Sequence, residues 1–218
     1  MRVGIFGGSF DPIHIGHLIL AETCREQLRL DEVRFVPTAL APHKQNRRPT
    51  PPEHRAAMIE LAIAGREGFV LSTIELDRGG VNYTADTLAA MARELPGSEL
   101  FLLLGADMFN DLPNWRRPAD VCRLALPVGV ERAGMPPPEF ERLRPLLDPD
   151  RFEAARAATV VMPLVGISSS LLRERAAQGK SIRFLTPRAV EAYIESHRLY
   201  ADNSETSSPP KTSECSRH

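Results

Sequence analysis

The sequence predicts an α/β fold, a doubly wound parallel sheet with helices on both faces. Short apolar runs that can form strands alternate along the chain with segments in which apolar residues recur every three or four positions, as on one face of a helix. Residues 100–104 are apolar at every position, which is typical of a central parallel strand covered on both sides. Strands separated by helices in this order favour a parallel sheet.

The individual elements follow from local patterns. Strands are predicted at residues 3–6, 33–36, 69–71, 72–74, 100–104, 124–130 and 159–162. Helices are predicted over about 15–29, from an N-cap at Thr50 to about 64, from a cap at Thr84 to before Pro96, from 167–170 to Gly179, and from Thr186 to about 196. Pro127 lacks a ladder donor, so an edge strand or a bulge is expected there. The proline-rich residues 135–149 are expected to be irregular, with a short helix.

Composition narrows the class of protein. The 218 residues fit one domain or one domain with an appendage, and 43% hydrophobic and 25% charged residues are ordinary for a globular enzyme. A formal net charge of −1 provides no long-range attraction to nucleic acid or an anionic membrane. The three cysteines are far apart, which favours neither a disulfide framework nor a paired-cysteine metal site. No run approaches the about 18 apolar residues of a membrane span, and a cytoplasmic protein is expected.

Residues 7–17, GGSFDPIHIGH, lie between the first predicted strand and the first predicted helix. Glycines at a strand-to-helix turn, together with a helix N-terminus, attract phosphate. His14 and His17 are three residues apart and therefore face the same side of the helix. Histidines on helices are also common as surface or core residues, and a zinc site is a further alternative, although no matching second pair is present.

This segment resembles the signature of the nucleotidyltransferase superfamily, an HxGH motif on a Rossmann-like domain. The resemblance implies transfer of a nucleotidyl group from a nucleoside triphosphate. Residues 42–44 (PHK), 82–88 (NYTADTL) and 105–107 (GAD) are similar to segments of the nicotinate-nucleotide adenylyltransferase family. The likeness extends over about residues 1–200 and implies transfer of AMP from ATP to nicotinate mononucleotide, with release of pyrophosphate.

Residues 167–175 (ISSSLLRER) resemble the superfamily motif ISSTxIR, which implies a second phosphate-binding group at a helix start. A polar cap followed by a surface arginine would give the same local pattern. The resemblance implies an ATP site made of Gly7, Gly8, Ser9, Phe10, His14, His17, Ile167, Ser168, Ser169 and Arg173. The residues that it implies for catalysis are His14, His17, Lys44 and Arg173. Turn geometry is the preferred explanation for Asp11.

The acceptor site is implied in the same way. Its residues are Thr38, His43, Tyr83, Thr84, Asp107, Trp115 and Arg116. Free amides at the helix start near Thr84 would bind the nicotinate carboxylate, although an ordinary N-cap explains this threonine equally well. Trp115 could stack on the pyridine ring or belong to the core, and Arg116 occupies a position that is aromatic in some relatives. Arg47 and Arg48 fit a solvated basic loop.

Several further expectations complete the prediction. Residues 1–200 form the transferase domain, with a helical part from about 168 to 200, and residues 201–218 form a disordered tail. Mg²⁺ is bound through the ATP phosphates, since no carboxylate cage is evident and no protein metal site is expected. The partners are ATP and nicotinate mononucleotide, without nucleic acid or membrane, and the oligomeric state is open. Two alternatives remain: another acceptor, such as pantetheine phosphate or nicotinamide mononucleotide, and a catalytically silent nucleotide sensor.

Overall fold

The computed structural model describes residues 1–39, 49–132, 134 and 136–201. The strands within these residues are β1 (Arg2–Gly8), β2 (Glu32–Pro37), β3 (Phe69–Leu71), β4 (Glu99–Gly105), β5 (Leu126–Arg132) and β6 (Val160–Met162). They form one sheet in the order β3-β2-β1-β4-β5-β6, and every neighbouring pair is parallel. This order confirms the predicted doubly wound sheet. The chain reverses its direction of winding between β1 and β4, where a crevice opens at the carboxyl ends of the strands.

Helices connect the strands. They are α1 (Ile15–Gln27), α2 (Pro52–Ile63), α3 (Ile74–Arg78), α4 (Thr84–Glu94), α5 (Ala106–Asp111), α6 (Pro118–Leu124), α7 (Pro149–Ala157), α8 (Ser169–Ala177) and α9 (Arg188–Ser196). Short 3₁₀ helices cover Leu112–Asn114 and Phe140–Leu146. None of the helices in the described part of the chain has the length and hydrophobicity to cross a membrane.

The alternation of side chains along the central strands creates two apolar cores. Phe101 and Leu103 of β4 belong to the core on one face of the sheet, under α1, α2, α8 and α9. Leu102 and Leu104 belong to the core on the other face, under α4, α5 and α6. Because successive strand residues point to opposite faces, an all-apolar strand is buried on both sides. The prediction for residues 100–104 is thereby confirmed.

Two of the predicted strand features are wrong. Residues 72–74 are not a strand, because α3 begins at Ile74, and a short apolar run does not distinguish a strand from one helical turn. The strand that contains Pro127 is not an edge strand, since β5 lies between β4 and β6, and it has no bulge there, since its register with β4 is continuous through Pro127. The pairing of β6 with β5 covers only Val130 to Arg132, so the missing N–H of Pro127 removes no hydrogen bond on that side.

Helix starts differ from the predicted caps by one or two residues. α2 begins at Pro52 after Pro51, so Thr50 is not its N-cap. Thr84 is the first residue of α4 and not its cap. The sequence-based prediction also lacks α5, α6 and α7. The sequence does carry a signal for α7, since an aspartate followed by a proline is typical of a helix start. In the structure the Asp148 carboxylate caps the helix and accepts a hydrogen bond from the Arg151 N–H at 2.9 Å.

Candidate active site

The central strands all end at the same side of the parallel sheet, and several predicted site residues lie at these carboxyl ends. At the end of β2, the Thr38 N–H donates to the Gly8 carbonyl of β1 at 2.9 Å. Across the winding reversal, a side-chain oxygen of Asp107 lies 2.9 Å from the position that a Cβ on Gly105 would occupy. This is the edge at which open α/β sheets bind ligands. The fold therefore places Thr38, Gly8 and Asp107 at the carboxyl ends of three neighbouring strands, β2, β1 and β4.

The turn that leads from β1 to α1 is held by side chains from distant parts of the chain. Its carbonyl oxygens accept hydrogen bonds from Arg55 Nη1 at Ser9 O (2.9 Å), Arg173 Nη1 at Asp11 O (2.6 Å), Ser169 Oγ at Pro12 O (2.8 Å) and Thr186 Oγ1 at Ile13 O (2.8 Å). In the peptides that follow Ser9, Pro12 and Ile13 the C=O and the N–H point in opposite directions, so three of these contacts set where the amides of the next residues point. The Asp11 carbonyl precedes Pro12, which has no N–H, so Arg173 fixes only the carbonyl there. The turn is therefore ordered by tertiary contacts.

The structure assigns a structural role to Asp11. Its side chain is buried, and its carboxylate accepts hydrogen bonds from the Tyr200 hydroxyl at 2.6 Å and from the Thr50 N–H at 3.4 Å. These contacts join the segment after α9 and the residues before α2 to the turn. Burial, followed by the negative charge of Asp11, raises the pKa of the Tyr200 hydroxyl, which therefore stays protonated and donates. The preferred explanation of Asp11 by turn geometry agrees with these contacts.

The two histidines form a stacked pair at the start of α1. Their ring centroids are 3.7 Å apart and the rings are inclined by 23°. The main-chain N–H of His14 donates to His17 Nδ1 at 3.2 Å, so this ring nitrogen is an acceptor. The proton of a neutral His17 ring is therefore on Nε2. A Cβ on Gly16 would lie 3.1 Å from the His14 ring, which explains the glycine between the histidines. The arrangement leaves Nε2–H of His17 as a donor.

Both imidazoles are neutral at pH 7 in the free protein. Burial, and secondarily the positive charge of Arg132, lowers the pKa of His14 to about 4. Burial likewise lowers the pKa of His17 well below its usual value, with smaller contributions from His14 and Arg132. A neutral imidazole offers an N–H donor without a resident charge. The pair can therefore interact more strongly with a phosphate as negative charge develops on it.

Arg132 is a site residue that the sequence-based prediction did not include. It is the exposed last residue of β5, and its guanidinium lies 3.4 Å from the position of a Cβ on Gly105. Its positive charge is a secondary cause of the lowered pKa of both histidines, after burial. The signal in the sequence is a basic residue at the carboxyl end of a strand. The predicted strand ended at residue 130 and left this arginine outside.

The second predicted phosphate-binding group lies next to the first. Ser168 caps α8, since its hydroxyl accepts the Leu171 N–H at 3.2 Å. The guanidinium of Arg173 contacts Asp11 O, only three residues before His14, and its Nη2 donates to the Ser170 hydroxyl at 3.1 Å. The start of α8 and the start of α1 therefore converge on one turn. Ile167 is half-buried beside them.

Three of the residues predicted for the acceptor, Tyr83, Thr84 and Arg116, lie together at the start of α4. Tyr83 is the residue before this helix, and the guanidinium of Arg116 lies 4.3 Å from the centre of its ring. The neighbouring Trp115 is half-buried against the apolar core, and its indole N–H donates to the Asp111 carboxylate at 3.1 Å. Part of this indole therefore belongs to the core, as the alternative interpretation expected. His43 and Lys44 lie outside the described residues.

A buried polar network supports this helix start. The Asn82 amide donates to three main-chain oxygens at the end of α3, those of Glu75 (3.1 Å), Gly79 (3.2 Å) and Gly80 (3.3 Å). The Thr87 hydroxyl donates to the Glu75 carboxylate at 2.8 Å. Burial raises the pKa of Glu75, which the hydrogen bond from Thr87 partly opposes. These hydrogen bonds join the residues on either side of Tyr83 and Thr84 to α3 and so hold the start of α4 in place.

The fold and the site geometry define a class of protein, and comparison with known families agrees. The cytidylyltransferase-like family matches residues 5–175, which include the histidine pair and Arg173. The chain is therefore a nucleotidyltransferase of the cytidylyltransferase-like class.

Individual relatives identify the family within this class. The chain is 42% identical to a protein of Geobacillus thermodenitrificans, over 91% of this chain and 86% of that protein, and 44% identical to one of Thermus thermophilus, over 92% of this chain and 100% of that protein. Both carry the name probable nicotinate-nucleotide adenylyltransferase. The chain belongs to the nicotinate-nucleotide adenylyltransferase family.

A solved structure shares the fold. Nicotinic acid mononucleotide adenylyltransferase of Plasmodium falciparum, in complex with NaAD, superposes with a TM-score of 0.67 at 19% identity, over 91% of this chain and 97% of that chain. The same protein in complex with APC gives a TM-score of 0.66. At this level of identity the likeness supports the Rossmann-like architecture alone.

Proposed function

We propose that this enzyme transfers AMP from ATP to nicotinate mononucleotide, giving nicotinate adenine dinucleotide and pyrophosphate for NAD biosynthesis. One observation carries the proposal: a neutral stacked histidine pair at the start of α1 has the Nε2–H of His17 as a donor, and the adjoining turn receives the arginine of α8 at Asp11 O. Two groups that can bind phosphate thus meet at one end of the sheet. The names of the relatives in Geobacillus and Thermus support the choice of acceptor.

The reaction is a direct in-line displacement. The 5′-phosphate of nicotinate mononucleotide attacks the α-phosphorus of ATP, the bond to the bridging oxygen breaks, and pyrophosphate leaves with the electron pair. No side-chain nucleophile is needed, so the protein contributes positioning and charge stabilisation. In this proposal His14 and His17 donate hydrogen bonds to the phosphates around the reacting phosphorus. Arg132 adds positive charge at the same edge of the sheet.

The remaining ATP contacts are assigned to the turn and to α8. Gly7, Gly8, Ser9 and Phe10 would offer main-chain amides to the phosphates. A Cβ on Gly8 would lie 3.0 Å from the Phe10 ring, so any other residue there would have to displace the ring by a few tenths of an ångström. Ile167, Ser168, Ser169 and Arg173 would bind the outer phosphates from the start of α8. Arg173 already bridges both parts through Asp11 O.

The acceptor is assigned to the edge that includes the start of α4. Amides near Tyr83 and Thr84 would receive the nicotinate carboxylate, where the helix dipole favours negative charge. Arg116, on the face of the Tyr83 ring, would add a guanidinium to this carboxylate site, and the exposed face of Trp115 would stack on the pyridine ring. The remaining assigned acceptor contacts are Thr38, His43 and Asp107. Lys44 is assigned to catalysis, as a positive charge for the triphosphate.

We assign Mg²⁺ to the ATP phosphates. Among the described residues, no three histidine, cysteine, aspartate or glutamate side chains are grouped closely enough to form a metal site. Mg²⁺ commonly keeps several of its waters and is held by substrate phosphate oxygens, without a dedicated cage of protein ligands. When bound, the ion neutralises charge on the triphosphate. The domain assignment (1–200), the tail (201–218, of which 202–218 lie outside the described residues) and a cytoplasmic location remain predictions.

Release of pyrophosphate tests the proposal directly. Purified protein with Mg·ATP should release pyrophosphate with nicotinate mononucleotide, and much less with nicotinamide mononucleotide or pantetheine phosphate. His17→Ala should lower kcat by on the order of 10², because one donor to the transition state is lost. His197→Ala, at the exposed end of α9, is the matched histidine control and should leave turnover unchanged. Absence of release with every acceptor would favour the nucleotide sensor, and unchanged turnover of His17→Ala would exclude that residue from the mechanism.

A further inference from the structure

Arg55, in the first turn of α2, is among the most deeply buried side chains of the protein. Only 1% of its surface is exposed. Its Nη1 donates to the Ser9 carbonyl and its Nε to the Thr50 carbonyl, each at 2.9 Å, whereas Nη2 is buried without a partner among the described residues. A buried cation with an unsatisfied donor is costly. Packing alone, which an apolar residue of similar size would provide at lower cost, does not account for it.

The charge of Arg55 has limited compensation. Burial lowers the pKa of its guanidinium, and the charge of Asp11 is the main opposing influence. Both carboxylate oxygens of Asp11 are already hydrogen-bonded, one to Tyr200 and one to Thr50. Both hydrogen bonds of the Arg55 guanidinium are made to main-chain oxygens, one in the turn and one in the segment before α2. Arg55 therefore contacts the backbone of the proposed site.

The contact with Ser9 controls one particular peptide. Because Arg55 holds the Ser9 carbonyl, the N–H of the same peptide, that of Phe10, points to the opposite side. Phe10 has φ +44°, in the left-handed region, which a bulky residue rarely adopts unless its surroundings hold it there. Its ring is fully buried against Phe6, Phe35 and His17, at centroid distances of 5.3, 5.8 and 5.0 Å. The ring and Arg55 thus hold this backbone conformation from its two sides.

We propose that Arg55 is a positioning residue for the triphosphate: its guanidinium fixes the Ser9–Phe10 peptide so that the Phe10 amide faces the phosphates. The inference rests on the proposed function, because it takes ATP as the ligand of the turn. Arg55 itself is not placed in contact with ATP. Its loss should therefore weaken ATP binding through the turn while binding of nicotinate mononucleotide at α4 is retained.

Two substitutions and a matched control test this role. Arg55→Met removes both hydrogen bonds and keeps much of the volume, and Arg55→Lys keeps the charge but reaches only one carbonyl. Arg151→Met is the control. Arg151 also lies in the first turn of a helix and donates Nη2 to a main-chain oxygen (Cys122 O, 2.7 Å), and its buried Nε has no partner in the described part of the chain. Arg151 lines a groove at the amino ends of the strands, away from the site.

The measurements are calorimetric titration with Mg·ATP in the absence of acceptor, and KM for each substrate. We expect Arg55→Met to raise the Kd for ATP at least tenfold, Arg55→Lys to give an intermediate value, and both to change KM for nicotinate mononucleotide less than twofold. Arg151→Met should bind ATP as the wild type does, even if it is less stable to urea. If Arg55→Met does not fold, the Kd for ATP of Arg55→Lys alone tests the role of Arg55.

The outcomes separate this inference from the proposed function. If the wild type itself binds no ATP, the proposed function fails. If the wild type binds ATP and the folded Arg55 variants bind it within twofold of the wild-type Kd, only the role of Arg55 is refuted. An equal loss of ATP affinity in Arg151→Met, or an equal loss of both substrates in the Arg55 variants, would mean general destabilisation and would also overturn the role of Arg55.

Discussion

Acidification should destabilise the free protein through His14. In the folded state burial, with a smaller contribution from Arg132, lowers the pKa of this histidine from 6.5 to about 4, whereas the unfolded chain returns it to its ordinary value. At a pH between these two pKa values, His14 is protonated in the unfolded state and neutral in the folded state. The stabilisation is therefore complete above pH 6.5 and is lost as the pH falls toward 4.

The size of the effect follows from the pKa difference. One pKa unit corresponds to about 1.4 kcal/mol, so the full effect of His14 on the free energy of unfolding is about 3 kcal/mol. At pH 5, where the folded protein is still almost unprotonated at this site, about 2 kcal/mol of it should already be lost. A loss of this size is large against the 5–15 kcal/mol that is typical of a domain.

Urea unfolding of the wild type and of His14→Gln, at pH 7.5 and pH 5, measures this effect. The wild type should lose about 2 kcal/mol more than the variant between the two pH values, because carboxylates titrate in both proteins and cancel in the comparison. Arg132→Gln should give a smaller loss than the wild type, since it removes the second cause of the lowered pKa. Equal losses in the wild type and His14→Gln would refute the burial argument.

Two further expectations concern substrate selection and the cysteines. Arg116→Ala should raise KM for nicotinate mononucleotide about tenfold, with KM for ATP unchanged, because a charge-assisted hydrogen bond to a carboxylate is lost; equal KM values in variant and wild type would remove Arg116 from the acceptor site. Burial raises the pKa of Cys24 to about 12 and that of Cys122 to about 11, so in a Cys215→Ser variant neither thiol should react with Ellman's reagent at pH 8 until the protein is unfolded, and rapid reaction of the native protein would contradict their burial.

Local patterns were sufficient for most of the sheet, and they indicated the turn at which the active site is proposed. Residues 33–36, 100–104 and 159–162 predicted strands that the structure contains. The signal is strongest at 100–104, because burial on both faces makes every position of that strand apolar. The glycine-rich segment predicted a phosphate-binding turn, since tight turns before helices restrict the residues that fit. Short elements such as α3 were missed or misassigned, because five apolar or charged residues carry no resolvable period.

The partners of the turn were beyond any local pattern. Ser9, Asp11 and Ile13 receive side chains from residues 55, 173 and 186, and a one-dimensional sequence does not show which distant donor meets which carbonyl. The same holds for the neutral state of the histidines, which follows from burial and from Arg132 at the end of another strand. Residue types and their spacing therefore specify the chemistry that is available. Backbone orientation and protonation state depend on how much water is excluded and which charges come together, and both arise only when the strands and helices pack.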